Sequence, residues 1–294
     1  MNVTIAVPSK NRPYGSTFKL LESANANIVV YVDESEADKY KKALPHHFKM
    51  RTHKLTTIGE IRNLINEENE SNYLISLDDD INSISVSINE LINQVINIKS
   101  DILLFSYAEI KANGEYLFMS KRYWLGGAYA IMPNVKVFME TRPYYNEDVD
   151  AFFRCLKRNL VITNLPITIE HNSGSVISNF TKAWRIIAFV NLYKVWGDKH
   201  EIMFDEKKKI YKGIFGMDKF QEEEIFYSEK GNKTIERLIE EYSENSEIVT
   251  QLKETLEYVK RGNIRPIPLW NEYKSITLSN GLEGAVISFE ELYG

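Results

Sequence analysis

Short, continuous apolar runs alternate along the chain with longer stretches of helical spacing. Residues 3–7, 28–32, 73–77 and 102–107 are apolar or β-branched almost throughout. Runs of about four to eight such residues, bounded by turn signals, predict strands buried on both faces. Between them, residues 36–44, 58–69 and 84–98 place apolar side chains at intervals of three and four, as in Ile88, Leu91, Ile92, Val95 and Ile96. That spacing predicts helices. A strand-helix alternation of this kind predicts an α/β fold with a doubly wound, mostly parallel sheet. From about residue 114 the pattern shortens to small strands and loops around Gly126-Gly127. A helix begins near Glu147, a strand covers residues 160–165, and the polar turn His171-Asn172-Ser173-Gly174-Ser175 follows. Residues 233–260 read as one helix through Ile235, Leu238, Tyr242, Val249, Leu252, Leu256 and Val259. The expected division is a sheet domain over residues 1–180 and a mainly helical extension over residues 181–294, a candidate acceptor-binding region.

Composition narrows the classes. With 44% hydrophobic and 26% charged residues, the chain can bury enough apolar surface to fold, which excludes a disordered class. It contains no run of about 18 apolar residues, so no membrane span is expected. A single cysteine, Cys155, has no internal disulfide partner, and the N-terminus shows no signal-peptide pattern, which together lead us to expect a cytoplasmic, reducing setting. The net charge of -5 argues against binding nucleic acid by overall charge. The charge is uneven, however. Residues 181–220 carry a net +4, with Trp184, Trp196, Lys207, Lys208, Lys209 and Lys212, whereas residues 221–260 carry a net -6. The basic stretch is a candidate phosphate-contacting face, and equally an ordinary solvated Lys-rich surface.

The sharpest chemical feature is Asp78-Asp79-Asp80 directly after a buried strand. Ligands of open α/β sheets sit beyond the carboxyl ends of strands, and three adjacent carboxylates repel one another unless a cation intervenes. On an extended backbone Asp78 and Asp80 would project to one side and suit a single Mg²⁺ or Mn²⁺; a solvated acidic turn would carry the same residues. Glu147-Asp148 opens a helix, where carboxylates are also favoured as caps. His171 in a polar turn is by itself most simply a surface histidine.

Taken in order, these residues resemble a family. A first strand ending in Pro8-Ser9-Lys10-Asn11-Arg12, Asp33 closing the second strand, Arg62-Asn63, the Asp-x-Asp of Asp78 to Asp80, Gly126-Gly127, Glu147-Asp148 and His171 together look like an inverting glycosyltransferase of the GT-A type over residues 1–180. The resemblance implies a GT-A, Rossmann-like mixed sheet flanked by helices. It also implies a nucleotide-sugar donor, with a UDP-sugar as the expected one. Pro8, Ser9, Arg12 and Asp33 would then surround base and ribose, and Arg62 would lie near the nucleotide. Asp78 would contact ribose or metal, while Asp80 and His171 would hold Mn²⁺ or Mg²⁺ at the diphosphate. Gly126 and Gly127 would let the backbone approach donor sugar or acceptor, and Asp148 would be the catalytic base.

Within the fold, the closest likeness is to phage and TET-associated enzymes, relatives of the base J glucosyltransferase, that glycosylate hydroxymethylated pyrimidines in DNA. This makes DNA carrying 5-hydroxymethylcytosine the expected acceptor partner, and the host cytoplasm the setting if the chain is phage-encoded. The alternative acceptor is a surface glycan, a lipopolysaccharide precursor or a protein. A Gln-x-x-Arg-Trp motif is missing, which speaks against processive polysaccharide synthesis. A nucleotide-sugar pyrophosphorylase is disfavoured because the first loop lacks a Gly-rich, Arg-containing pattern.

Overall fold

The computed structural model describes residues 2–69, 72–110, 116–119, 124–172, 182–196, 202–205, 210–213, 229–261, 274–277 and 283–287. Its elements run β1 (Val3–Ser9), α1 (Ser16–Leu21), β2 (Asn27–Asp33), α2 (Ala37–Ala43), β3 (Lys49–His53), α3 (Ile58–Glu68), β4 (Tyr73–Leu77), β5 (Ile81–Ile84), α4 (Ile88–Asn97), β6 (Ile102–Ile110), β7 (Tyr116–Met119), β8 (Ala128–Ile131), α5 (Glu147–Lys157), β9 (Ile162–Asn172), α6 (Lys182–Trp196), β10 (Ile202–Asp205), β11 (Ile210–Gly213), α7 (Glu229–Glu241), α8 (Ser246–Lys260), β12 (Lys274–Thr277) and β13 (Glu283–Ile287). They form two compact units. One comprises residues 1–141, 147–175 and 273–294, the other residues 142–146 and 176–272.

The first unit is built on a sheet of order β12-β13-β9-β6-β8-β4-β1-β2-β3, with β5 added on β9 and β7 on β6. Strands β1 to β4 are parallel, β6 and β9 are parallel, and β8 runs antiparallel between β4 and β6. This is a mostly parallel sheet flanked by helices, as the alternation predicts, and the antiparallel β8 makes it mixed, as the family resemblance implies. Every residue of β1 and β8 is buried, as are Leu74 to Leu77 of β4. Burial on both faces is why these strands read as unbroken apolar runs rather than alternating ones.

Several elements depart from the sequence pattern. The apolar pattern does not announce strand β3, Lys49–His53: among the described residues it is an edge strand paired only with β2, exposed at Lys49, Arg51 and Thr52, so it has no apolar run to show. The helix expected from residue 84 begins at Ile88, after a short strand β5 that ends at Ile84. The single helix expected over residues 233–260 is two helices. The break falls at Asn245, whose side chain accepts from the Ile248 amide and caps α8. His171 does not lie in a turn; it is the penultimate residue of β9, and residues 173–175 of the expected turn lie outside the described residues.

The long strand β9 explains how His171 reaches the site. Its register with β6 slips by two residues between Phe105↔Leu165 and Ser106↔Thr168, at Pro166, which cannot donate to a ladder. Beyond the slip β9 also pairs with β5, setting His171 opposite Ile81, and the Asn172 amide donates to the Asp80 carbonyl at 3.0 Å.

In the second unit, Ala183, Ile186, Ile187, Val190 and Tyr193 of α6 pack with Ile235 and Leu238 of α7 and Ile248, Leu252, Leu256 and Val259 of α8. Helix α6 buries residues around most of its circumference, which is why it lacks an amphipathic stripe. Residues 207–209 of the candidate basic face lie outside the described residues. No helix among the described residues is long and apolar enough to cross a membrane.

Candidate functional site

Strand β4 delivers the three aspartates to the sheet's carboxyl edge. Its pairing with β8 ends at Leu77↔Ala128, and one further bond, Asp78 N–H to the Gly127 carbonyl at 2.7 Å, carries Asp78 off the strand. Asp79 and Asp80 then turn rather than continue extended, contrary to the expectation from spacing. Thr17, at the start of α1, holds the turn: its hydroxyl donates to the Asp78 carbonyl at 2.6 Å and accepts from the Ile81 amide at 2.9 Å.

The turn sorts the three carboxylates into different environments. Asp78 and Asp80 join His171 in a group whose candidate ligand atoms all lie within 4.8 Å of one another. His171 Nδ1 is 3.2 Å from Asp80 Oδ1, its ring stacks on Tyr107 at 4.9 Å, and Nε2 is buried with no hydrogen-bond partner among the described residues. A buried imidazole nitrogen without a partner is unfavourable unless a ligand completes it. Two carboxylates and one imidazole fit a divalent cation such as Mn²⁺ or Mg²⁺.

Asp79, as buried as Asp80, has different partners. It accepts from Ser9 Oγ at 2.5 Å and from Arg12 Nη1 at 2.5 Å, and the same Arg12 nitrogen is 3.4 Å from Asp80 Oδ2. Ser9 Oγ also lies 2.6 Å from the Tyr40 hydroxyl, which accepts the Arg12 amide at 3.0 Å. Burial, opposed by Ser9 and Arg12, raises the Asp79 carboxyl to about 6. Sequence reasoning missed Tyr40 and Asp79 as parts of this network, because nothing local ties them to residues 9 and 12. Ser9 and Arg12, expected around a nucleoside, are thus engaged with the aspartate turn.

Asp33 closes β2 and accepts from the Ser35 amide and hydroxyl, which hold its carboxyl below the usual range. His53 stands beside it in register at the end of β3, its basicity lowered by burial despite the nearby Asp33. Pro8, Ser9 and Asp33 therefore sit at the carboxyl ends of neighbouring parallel strands.

Arg62 is not at the surface. Its side chain is 5% exposed, with Nη2 3.3 Å from Asp78 Oδ1 and Nη1 3.0 Å from Glu147 Oε1. Burial opposes its charge, but the Asp78 and Glu147 carboxylates more than offset that and raise its pKa. Burial, with Asp148 adjoining, raises Glu147 despite Arg62. Asp148, next in α5, accepts its neighbour's amide, Val149 N–H, at 2.8 Å, and its carbonyl accepts from the Leu125 amide at 3.0 Å. Gly126 lies against the Asp148 carboxylate, and Gly127 adopts φ 71°, a conformation that glycine takes without strain.

No known family model matches the chain, and no curated protein does. Among solved structures, the chain is similar to S. aureus TarS 1-349 in complex with UDP (14% identity, TM-score 0.46, covering 96% of each chain). It is also similar to the same protein in complex with UDP-GlcNAc (13% identity, TM-score 0.45, 95% of each chain). A third likeness is to a CMP:2-keto-3-deoxy-manno-octonic acid synthetase complexed with CTP (10% identity, TM-score 0.35, 59% of this chain and 91% of that one).

Proposed function

We propose that this chain is a metal-dependent inverting glycosyltransferase that moves a sugar from a nucleotide-sugar donor, first of all a UDP-sugar, to a hydroxyl acceptor. The observation that carries this reading is the Asp78, Asp80 and His171 cluster, with its buried, unpartnered His171 Nε2, at the carboxyl end of a parallel strand. A divalent cation held there would stabilise the charge that develops on a departing nucleoside diphosphate.

The chain's own groups then divide the work. Pro8, Ser9 and Asp33 border the strand ends where a nucleoside would lie, and Arg12 and Arg62 keep positive charge among the carboxylates. Asp148, at the start of α5, takes the proton from the acceptor hydroxyl as its oxygen bonds to the anomeric carbon. The bond from that carbon to the phosphate oxygen breaks with inversion, and the nucleoside diphosphate leaves. General-base catalysis of this kind contributes about 10² to 10⁴-fold.

The acceptor carried by this proposal is the hydroxymethyl oxygen of a modified pyrimidine in DNA, with 5-hydroxymethylcytosine first, and it rests on the sequence resemblance and the Lys-rich stretch after residue 181. A base inside a duplex would have to be flipped out to reach Asp148.

The test is incubation with Mn²⁺, a panel of nucleotide sugars, and DNA with or without 5-hydroxymethylcytosine, read as nucleoside masses. Transfer to a glycan but never to modified DNA would remove the DNA acceptor. Asp148→Asn should lower transfer by about 10² to 10⁴-fold while donor still binds; near-full turnover would remove Asp148 as the base. His171→Ala and Asp80→Ala should each weaken Mn²⁺ binding measured by calorimetry, and unchanged affinity would remove the cluster from the proposal.

A further inference from the structure

Arg62 spans two elements that the proposed chemistry must keep in register. Its Nη2 reaches Asp78, in the turn that carries the candidate metal carboxylates, and its Nη1 reaches Glu147, the first residue of the helix that carries Asp148. The Arg62 side chain is 5% exposed against 17% for Glu147 and 31% for Asp78, so the guanidinium is buried and reaches two part-buried carboxylates. A guanidinium has a rigid planar fork, so it fixes the separation of two carboxylates in a way that a lysine ammonium does not. Buried ion pairs are weak sources of net stability because desolvation offsets their attraction; fixing geometry is a role they can fill.

The seat of the fork is itself secured. Helix α3 starts at a capping box between Thr57 and Glu60, one turn before Arg62. The neighbouring Asn63 side chain donates to the Met139 carbonyl at 2.9 Å and accepts the Met139 amide at 2.7 Å. Gly59 packs so closely on the Glu140 carbonyl that a Cβ there would collide with it. Parallel to the fork runs a backbone connection between the same two elements: the Asp148 carbonyl accepts the Leu125 amide, and the Gly127 carbonyl accepts the Asp78 amide.

We propose that Arg62 and Glu147 are positioning residues, a buried strut that sets where Asp148 stands relative to Asp78, and that Arg62 does not serve as a nucleotide contact. The proposal rests on the glycosyltransferase reading for its catalytic consequence, and on the contacts of Arg62 alone for its structural one. The two parts are tested together on the full chain with Arg62→Lys, Glu147→Ala, Glu147→Gln and the Arg62→Lys/Glu147→Ala double variant. Circular dichroism checks that each is folded. Turnover of a UDP-sugar with Mn²⁺, including slow hydrolysis to water, gives kcat and KM; calorimetry gives the affinity for UDP with Mn²⁺; hydrogen exchange follows the Asp78 and Leu125 amides.

The expected result is a kcat lowered at least about tenfold in Arg62→Lys and in Glu147→Ala, a smaller loss in Glu147→Gln, and a double variant no worse than the worse single. KM and UDP affinity should stay within about threefold, because no nucleotide contact is lost. The Asp78 and Leu125 amides should exchange faster in both single variants. A raised KM or weakened UDP binding in Arg62→Lys with Glu147→Ala unaffected would make Arg62 a nucleotide contact and overturn the strut. Unchanged exchange at both amides would overturn it even if the wild-type protein bound neither UDP nor Mn²⁺. That last behaviour would separately end the glycosyltransferase reading.

Discussion

A methyl group at Gly126 would stand 2.5 Å from Asp148 Oδ2 and 3.0 Å from a ring carbon of Trp124. Neither neighbour is loose: the Asp148 backbone is bonded to Leu125, and Trp124 packs edge-on against Tyr107 at 6.1 Å. The family resemblance implies that the glycine pair lets the backbone approach donor sugar or acceptor; at Gly126 a Cβ would meet the proposed base. Gly126→Ala should therefore displace that carboxylate and lower turnover by about 10²-fold, with UDP affinity nearly unchanged. Steady-state kinetics beside calorimetry would check it, and a loss confined to donor binding would contradict it. Cys155 illustrates the opposite kind of residue. Burial drives its thiol from an ordinary value near 9 up to about 12, so almost no thiolate exists at pH 8. A disulfide reagent should leave the native protein untouched at pH 8 and titrate one thiol after denaturation. The sign of the linkage follows: with its folded pKa raised, the thiol's contribution to stability is intact below pH 9 and is lost as pH climbs toward 12. The urea midpoint should fall across that interval.

Elements differ in how plainly the sequence announces them, and the reason is burial. Strands β1, β2, β4 and β6 are covered on both faces, so their apolar runs survive as a one-dimensional signal. Strand β3 is an exposed edge, and β5 has only four residues, so neither leaves one. The site divides in the same way. The Asp-x-Asp and Glu147-Asp148 are visible because their carboxylates adjoin predicted element ends. The polar residues after His171 read as a turn, whereas Ile167, Ile169 and His171 at alternate positions are all buried on one face of β9; that period-two pattern extends the strand to it. The Arg62 to Glu147 bridge spans 85 positions and has no local signature. One boundary was written locally and can be tested at this scale. Thr57 accepts the Glu60 amide at 3.2 Å while Glu60 returns a bond to the Thr57 amide at 2.9 Å. Thr57→Ala should remove about 1 kcal/mol of stability, read as a lower urea midpoint. Because α3 also carries Arg62, turnover should fall with it, and an unchanged midpoint would deny the cap any stabilising part.

At the scale of the whole molecule, the chain returns to its first unit after residue 272. Strand β13 pairs antiparallel with β9 through Ala285↔Asn164, Val286↔Thr163 and Ile287↔Ile162, and β12 closes the edge against β13. Periodicity could not foresee this, because the two strands have four and five residues and β13 lies far in sequence from β9. The consequence reaches the site, since β9 is the strand that ends in His171. Removing β13 exposes the ladder edge of β9 at Ile162 to Asn164 to water and to other chains, a known route to association. A ladder hydrogen bond contributes about 1 kcal/mol net, so losing the three-pair ladder should remove about 2 to 3 kcal/mol. For a unit of this size that corresponds to a fall in Tm of about 5 to 10 °C. Truncation after Glu272 leaves the sequence of the second unit complete, so the loss belongs to the sheet. We expect such a chain to melt earlier, to form oligomers on gel filtration, and to bind Mn²⁺ more weakly because the His171 end of β9 is less firmly held. A truncated chain with the full-length Tm and Mn²⁺ affinity would show that β9 keeps its register without β13, and that the pairing of β9 with β5 and β6 alone fixes the histidine.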